Sequence, residues 1–200
     1  MPVRLQKMND AEVEKGVPFD CQKPLTHCYF VDFPKKFLFL EDVLQTTLEE
    51  VNIDFLYFYM RFHRLMEENV TTHCRNTHLT LNYLADIDGD LYVQIDIRDV
   101  HDLIHTFPLI ELITHNMDDL TLFSTAPNLQ VVALVADSLG DSRTFTVDHR
   151  DDRPVTLFVP EVYAWSFSIY SNDYTCQSEA LSALLQKIFK QPIELLSAND

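Results

Sequence analysis

The pattern of hydrophobic and polar residues predicts two consecutive helices over about residues 40–68. In the first half, apolar residues recur at helical spacing and acidic residues form the opposite face. Residues 52–54 interrupt this pattern, and Asp54 is a candidate cap for the second helix. The second half, residues 55–66, is apolar on almost every side. A helix of this kind is buried in the core or covered by a partner protein.

A β-hairpin is predicted over residues 79–97, where apolar and polar residues alternate on both sides of a turn. The two apolar sets face the same side of the sheet if Tyr83 pairs with Val93. A three-residue loop at residues 87–89 gives this pairing. Such a loop requires a left-handed conformation at its last position, and Gly89 occupies that position.

Further strands and helices are predicted on both sides of this region. The candidate elements are a strand over 25–33, a helix that Asp99 caps and Pro108 interrupts, strands over 129–136, 144–147, 155–159 and 162–170, and a helix around 181–188. The nearly continuous apolar run at 129–136 is typical of a central strand that is covered on both faces.

These elements predict a single α+β domain over residues 25–200. We expect helices from the first third of the chain and from its C-terminus to pack on a mostly antiparallel sheet. Residues 1–24 are polar and are interrupted by prolines, so we expect a flexible N-terminal arm.

The composition excludes several functional classes. The chain has 3 glycines in 200 residues and a formal net charge of −16. Loops that bind phosphate groups through backbone N–H groups need closely spaced glycines, so the glycine-rich nucleotide-binding motifs are excluded. The negative charge also argues against direct nucleic-acid binding, which Lys and Arg side chains drive.

The cysteines and the hydropathy indicate an intracellular protein in a reducing compartment, either the cytoplasm or the nucleus. The 4 cysteines include no C-x-x-C motif, and their spacing matches neither a zinc ribbon nor a small disulfide scaffold. We find no apolar signal-peptide segment, and the longest apolar run is too short to cross a bilayer. We therefore expect no membrane association.

Two histidines form the first candidate site. His101 and His105 are four residues apart on a predicted helix, a spacing that places both imidazoles on one face, as in helical metal sites. A metal-dependent enzyme is therefore an alternative function. The interpretation that we favour places both histidines at the edge of the core, without a metal or any other cofactor. The H-E-x-x-H pattern is not met, because no general-base Glu follows His101.

Residues 72–78 are the second candidate site, because Cys74 and His78 are types that bind metals or act as nucleophile and base. No second Cys or His pair follows at the spacing of a zinc finger. We therefore interpret this segment as a polar connection between a helix and the hairpin.

The third candidate is an acidic region between residues 86 and 119, where Arg98 is the only Lys or Arg. Its field would attract a partner protein with a basic surface. The candidate partner contacts in this region are Asp86, Asp88, Asp90, Asp118 and Asp119. Apolar anchors are expected among exposed members of residues 55–66, and the best candidates are Tyr57, Phe58 and Phe62.

The leading hypothesis is a non-enzymatic protein-binding module, such as an adaptor, an inhibitor or a complex subunit, because none of the patterns is a catalytic signature. The first alternative is the metal-dependent enzyme built on His101 and His105. A further alternative is an acidic nucleic-acid mimic, whose carboxylates imitate phosphates and occupy a DNA-binding protein. That alternative requires the acidic residues to share one face.

Overall fold

The computed structural model describes residues 3–9, 19–21, 25–32, 42–45, 49, 56–114, 120–127, 129–134, 142–147, 154–160, 166–173, 176–190 and 192–197. The strands in chain order are β1 (Val3–Lys7), β2 (Phe19–Cys21), β3 (His27–Asp32), β4 (Leu56–His63), β5 (Leu81–Ile87), β6 (Asp90–Ile97), β7 (Leu120–Ser124), β8 (Gln130–Leu134), β9 (Ser142–Val147), β10 (Thr156–Pro160), β11 (Ser166–Ser171) and β12 (Ile193–Leu196). The helices are α1 (Glu67–Thr77), α2 (Val100–Thr114) and α3 (Ser178–Phe189), and a 3-10 turn, Arg64–Met66, joins β4 to α1.

The described strands form two sheets. The larger sheet has nine strands in the order β12-β1-β3-β11-β10-β7-β4-β6-β5, and the smaller has three in the order β2-β9-β8. Neighbours in the larger sheet are antiparallel, except for the parallel pair β1 and β12. The predicted α+β class with a mostly antiparallel sheet is therefore confirmed at this level.

The run 55–66 forms a strand, so the predicted second helix is wrong. Residues 56–63 form β4, which pairs with β6 on one side and β7 on the other. Even-numbered residues such as Phe58 face one core and odd-numbered residues such as Tyr59 face the other. A strand buried on both faces is apolar throughout, which hides its two-residue period. Its aromatic residues favour the strand over the helix.

Two hydrophobic cores lie on opposite faces of the larger sheet. The core on the helix side takes residues from all three helices, among them Cys74, Leu103 and Leu181. The other core is built around Tyr59 and Tyr92 and includes Leu129. The sheet is therefore the central layer, and the helices present their outer faces to solvent.

The hairpin has a two-residue turn, so the predicted three-residue loop is wrong. Asp88 and Gly89 have φ of 54° and 93°, the positive values of a type I′ turn. The positive φ predicted for Gly89 is confirmed. Tyr83 does pair with Val93, because the register shifts between Tyr83 and Ala85. This β-bulge restores the shared apolar face that the shorter turn alone would break.

Two further predictions need correction. Residues 3–7 are not part of a flexible arm, because they form β1 between β12 and β3, with Val3 and Leu5 buried. Residues 10–18 and 22–24 of the predicted arm lie outside the described residues. The run 129–136 contributes β8, which is an outer strand of the smaller sheet rather than a central strand. An apolar run can indicate a buried strand, but it does not show which strands will be its neighbours in a sheet.

The helices agree with their predicted signals more closely. The Asp99 carboxylate accepts a 2.9 Å hydrogen bond from the N–H of Asp102, which confirms the predicted cap of α2. α2 continues through Pro108. The predicted helix over 40–54 lies mostly outside the described residues, although residues 42–45 are helical. None of the described helices is both long and apolar enough to span a membrane.

Candidate functional site

The turn of the β5–β6 hairpin lies against the 3-10 turn that follows β4. The N–H of Arg64 donates to the carbonyl oxygen of Gly89 over 2.7 Å, and the Arg64 guanidinium forms an ion pair with Asp86. A second cation, Arg61, places Nε 3.7 Å from Oδ2 of Asp90. The end of the hairpin is therefore fixed to the sheet, and two of its carboxylates lie beside arginines.

Three large apolar side chains are exposed on β5 and on the 3-10 turn that the hairpin contacts. Leu65 is 85% exposed, Tyr83 is 50% exposed and Leu84 is 37% exposed. Nδ1 of His63 accepts a 3.3 Å hydrogen bond from the N–H of Leu65, which fixes the start of the 3-10 turn. We define the hairpin-end surface as the side chains of Leu65, Tyr83, Leu84, Glu67 and Asp86.

Glu67 connects the two sides of the hairpin-end surface. The hydroxyl of Tyr83 donates a 2.9 Å hydrogen bond to Oε1 of Glu67. Partial burial, and then the hydrogen bond and negative charge of Glu67, raise the pKa of Tyr83 above its ordinary value. The hydroxyl therefore stays protonated and remains a donor. Because Glu67 follows Leu65 by two residues, this hydrogen bond connects β5 to the segment that carries Leu65.

The predicted acidic region is divided in the structure. Asp96 lies six residues along β6 from Asp90, about 20 Å at the spacing of a strand. Asp99 caps α2. Asp118 and Asp119 lie outside the described residues. The hairpin end therefore contains only part of this region.

The aromatic residues predicted as partner anchors lie within the sheet. Phe58 and Phe62 are fully buried, and the ring centroid of Phe58 is 4.8 Å from that of Phe123. Neither residue is accessible to a partner, which corrects their selection. Tyr57 is half-buried on the opposite face of β4. The selection assumed one exposed helix face, whereas a strand sends alternate side chains into two cores.

The two histidine-containing candidates meet at the junction of α1 and α2. The rings of His101 and His105 are in contact edge to face, with centroids 4.4 Å apart and an angle of 89°. Nε2 of His73 lies 2.7 Å from the carbonyl oxygen of His105, so this nitrogen carries a proton and donates. Within the described part of the chain, no group of three His, Cys, Asp or Glu side chains is arranged to hold a metal ion.

The predicted polar connection over residues 72–78 is wrong, because residues 67–77 form α1 and His78 ends it. Cys74 is buried in the helix-side core, and burial raises the pKa of its thiol to about 11. A protonated thiol is a poor nucleophile and a poor metal ligand. His78 ends α1 in the left-handed conformation, with φ of 61°, and its N–H donates to the carbonyl of Cys74. Cys74 and His78 are therefore connected by the backbone hydrogen bond that ends α1, which accounts for their proximity without a reactive site.

Sequence reasoning missed the three exposed apolar residues. Leu65 belongs to the run 55–66, where exposed anchors are expected. The helical interpretation favoured the aromatic residues of this run over Leu65. Tyr83 was assigned to the buried face of the hairpin. Its exposure follows from the position of β5 at the edge of the larger sheet, which no local pattern reveals.

Comparison of the chain with protein-family models, with curated proteins and with solved structures finds no match.

Proposed function

We propose that the protein is a non-enzymatic protein-binding module whose main contact is the hairpin-end surface. The observation that carries this proposal is the exposure of Leu65, Tyr83 and Leu84 on a backbone that hydrogen bonds and an ion pair hold in place. Exposed apolar side chains that cluster and are rimmed by polar groups are typical of interaction sites. A rigid backbone reduces the entropy lost when a partner binds.

The charge distribution supports a partner with a basic surface. Glu67 accepts a hydrogen bond from Tyr83, Asp86, Asp88 and Asp90 lie at the end of the same hairpin, and the chain carries a net charge of −16. Carboxylates at the rim of an interface mainly accelerate encounter with a positively charged partner. Apolar anchors at the centre supply most of the affinity. A partner in the cytoplasm or nucleus would agree with the predicted reducing compartment.

The two alternative functions have weaker support. The rings of His101 and His105 contact each other edge to face, and within the described residues no third His, Cys, Asp or Glu joins them in a group that could hold a metal ion. A nucleic-acid mimic needs unpaired carboxylates that imitate phosphates, whereas Asp86 and Asp90 lie beside Arg64 and Arg61. The protein-binding proposal accounts for the exposed residues without either requirement.

The test uses the partner recovered by affinity purification from the native source. Leu65→Asp should accelerate dissociation by at least about tenfold, since loss of a central anchor raises the free energy of the complex. Leu195→Asp is the matched control, because Leu195 is an exposed leucine on β12, at the opposite edge of the sheet. Unchanged dissociation for Leu65→Asp, or turnover of a small molecule without any macromolecular partner, would overturn the proposal.

A further inference from the structure

A second surface lies between α1 and α2, away from the hairpin-end surface. An open groove of about 600 Å³ lies between the two helices. The hydrogen bond from His73 to the carbonyl of His105 joins the helices beside the groove. Pro108 lacks the N–H that would continue the helical ladder at this level. The His73 side chain therefore links α1 to α2 near Pro108, where one backbone hydrogen bond of α2 is missing.

The two walls of the groove differ in chemistry. The wall formed by α1 is polar, and its residues recur at helical spacing on one face of the helix; they are Glu68, Asn69, Thr72, His73 and Asn76. The wall formed by α2 is apolar and contains Pro108 and Leu112. Ile104, which is 44% exposed, extends this wall by one further turn. Residues 104, 108 and 112 thus form a continuous apolar ridge at four-residue spacing.

We infer that this groove binds an amphipathic helix of a partner protein, with Lys or Arg residues beside the apolar stripe of that helix. An apolar ridge at four-residue spacing is the surface against which another helix packs its own ridges. The lining residues of α1 run from Glu68 to Asn76, so the groove extends for about 12 Å, or a little over two turns of a bound helix. A third helix would join α1 and α2 on the outside of the helical layer.

Charge indicates which amphipathic helix fits. Glu68 is exposed on the polar wall, and Glu111 is exposed one turn from Pro108 on the other helix. Lys and Arg can lay their methylene groups along apolar surface while the charged ends reach such carboxylates. The groove is lined mainly by exposed side chains, whereas sites for small molecules enclose most of the ligand. The geometry therefore favours a helix over a metabolite.

The experiment selects binders from a display library of 18-residue peptides with a fixed helical apolar pattern and randomised polar positions. The full-length chain is the target, and affinities are measured by fluorescence anisotropy. The selected peptides should be enriched in Lys and Arg beside the apolar stripe and should gain helical circular dichroism on binding. Thr72→Arg, which places a bulky cation in the groove, should weaken them at least tenfold, and Glu68→Lys at least threefold.

Two variants serve as controls and separate this inference from the proposed function. Arg75→Gln changes an exposed residue of α1 that does not line the groove, and Leu65→Asp changes the hairpin-end surface. Both should leave peptide affinity within about twofold. The inference is wrong if no selected peptide binds more tightly than about 100 µM, if Thr72→Arg has no effect on binding, or if the bound peptides are extended or acidic.

Discussion

The hydroxyl of Tyr59 donates a 3.3 Å hydrogen bond to the carbonyl oxygen of Ala126. The hydroxyl oxygen of Tyr59 in turn accepts a 3.3 Å hydrogen bond from the N–H of Leu129. One fully buried side chain of β4 therefore holds the segment that follows β7 against the face of the sheet opposite the helices. Tyr59 is far from Ala126 and Leu129 in sequence. Its hydroxyl acts both as a hydrogen-bond donor and as an acceptor.

Tyr59→Phe should lower the free energy of unfolding by about 1–3 kcal/mol, because it removes a partner from two backbone groups while it keeps the ring. Urea denaturation followed by fluorescence would measure the change. Tyr83→Phe is the matched control, since its hydroxyl bonds to an exposed carboxylate and its loss should have a smaller effect. Equal losses in both variants would contradict the structural role of the Tyr59 hydroxyl.

Gly89→Ala should destabilise the protein by about 1–2 kcal/mol, because Gly89 has φ of 93° and a Cβ is unfavourable in the left-handed region. Space is not the main obstacle, since the added Cβ would lie 3.4 Å from Nε2 of His63. Gly89→Asn should lose less, because asparagine tolerates positive φ. Thermal denaturation of the three proteins would rank them, and an alanine variant as stable as wild type would exclude this turn geometry.

Cys74 should make the folded state sensitive to alkaline pH. Its folded-state pKa of about 11 lies above the ordinary value of a thiol, so the folded protein holds this proton more tightly than the unfolded chain. The resulting contribution to stability is complete below the unfolded pKa and is lost as the pH rises toward 11. Denaturation between pH 8 and pH 11 should show a smaller decline for Cys74→Ala than for wild type. Parallel declines would refute the buried-thiol account.

Asp99→Ala should destabilise the protein by about 1 kcal/mol, because it removes the side-chain cap of α2. A second hydrogen bond lies beside the cap, since Oδ2 of Asp102 accepts a 3.1 Å hydrogen bond from the N–H of Arg98. Asp99→Ser retains an acceptor at the same position and should recover most of the loss. Urea denaturation would compare the variants, and a serine variant as unstable as alanine would argue against capping.

The sequence predicted those elements whose signals are local. The Asp99 cap, the strand that became β3 and the positive φ of Gly89 each depend on a few neighbouring residues. β4 was misjudged because burial on both faces removes the alternation by which a strand is recognised. The loop length was predicted wrongly because the prediction assumed regular pairing from the turn to Tyr83. The bulge near Leu84 shifts this pairing by one residue.

Long-range pairing explains the other differences. Nothing near Val3 or Leu5 indicates that this segment pairs with residues about 190 positions later. The candidate site also depends on contacts between distant residues. Leu65 and Tyr83 belong to different elements, and the turn contacts of Arg64 bring them to one surface. Sequence reasoning identified the acidic hairpin and the run that contains Leu65, but it did not place them side by side.

The parallel pairing of β1 with β12 also determines the order in which the sheet is completed during synthesis. Residues 3–7 emerge from the ribosome about 190 codons before their neighbours at residues 193–196. Until then, one side of β1 remains open to other extended chains. Unprotected strand edges of this kind promote association between nascent polypeptides. We therefore expect the newly made chain to depend on chaperones for longer than its size alone would require.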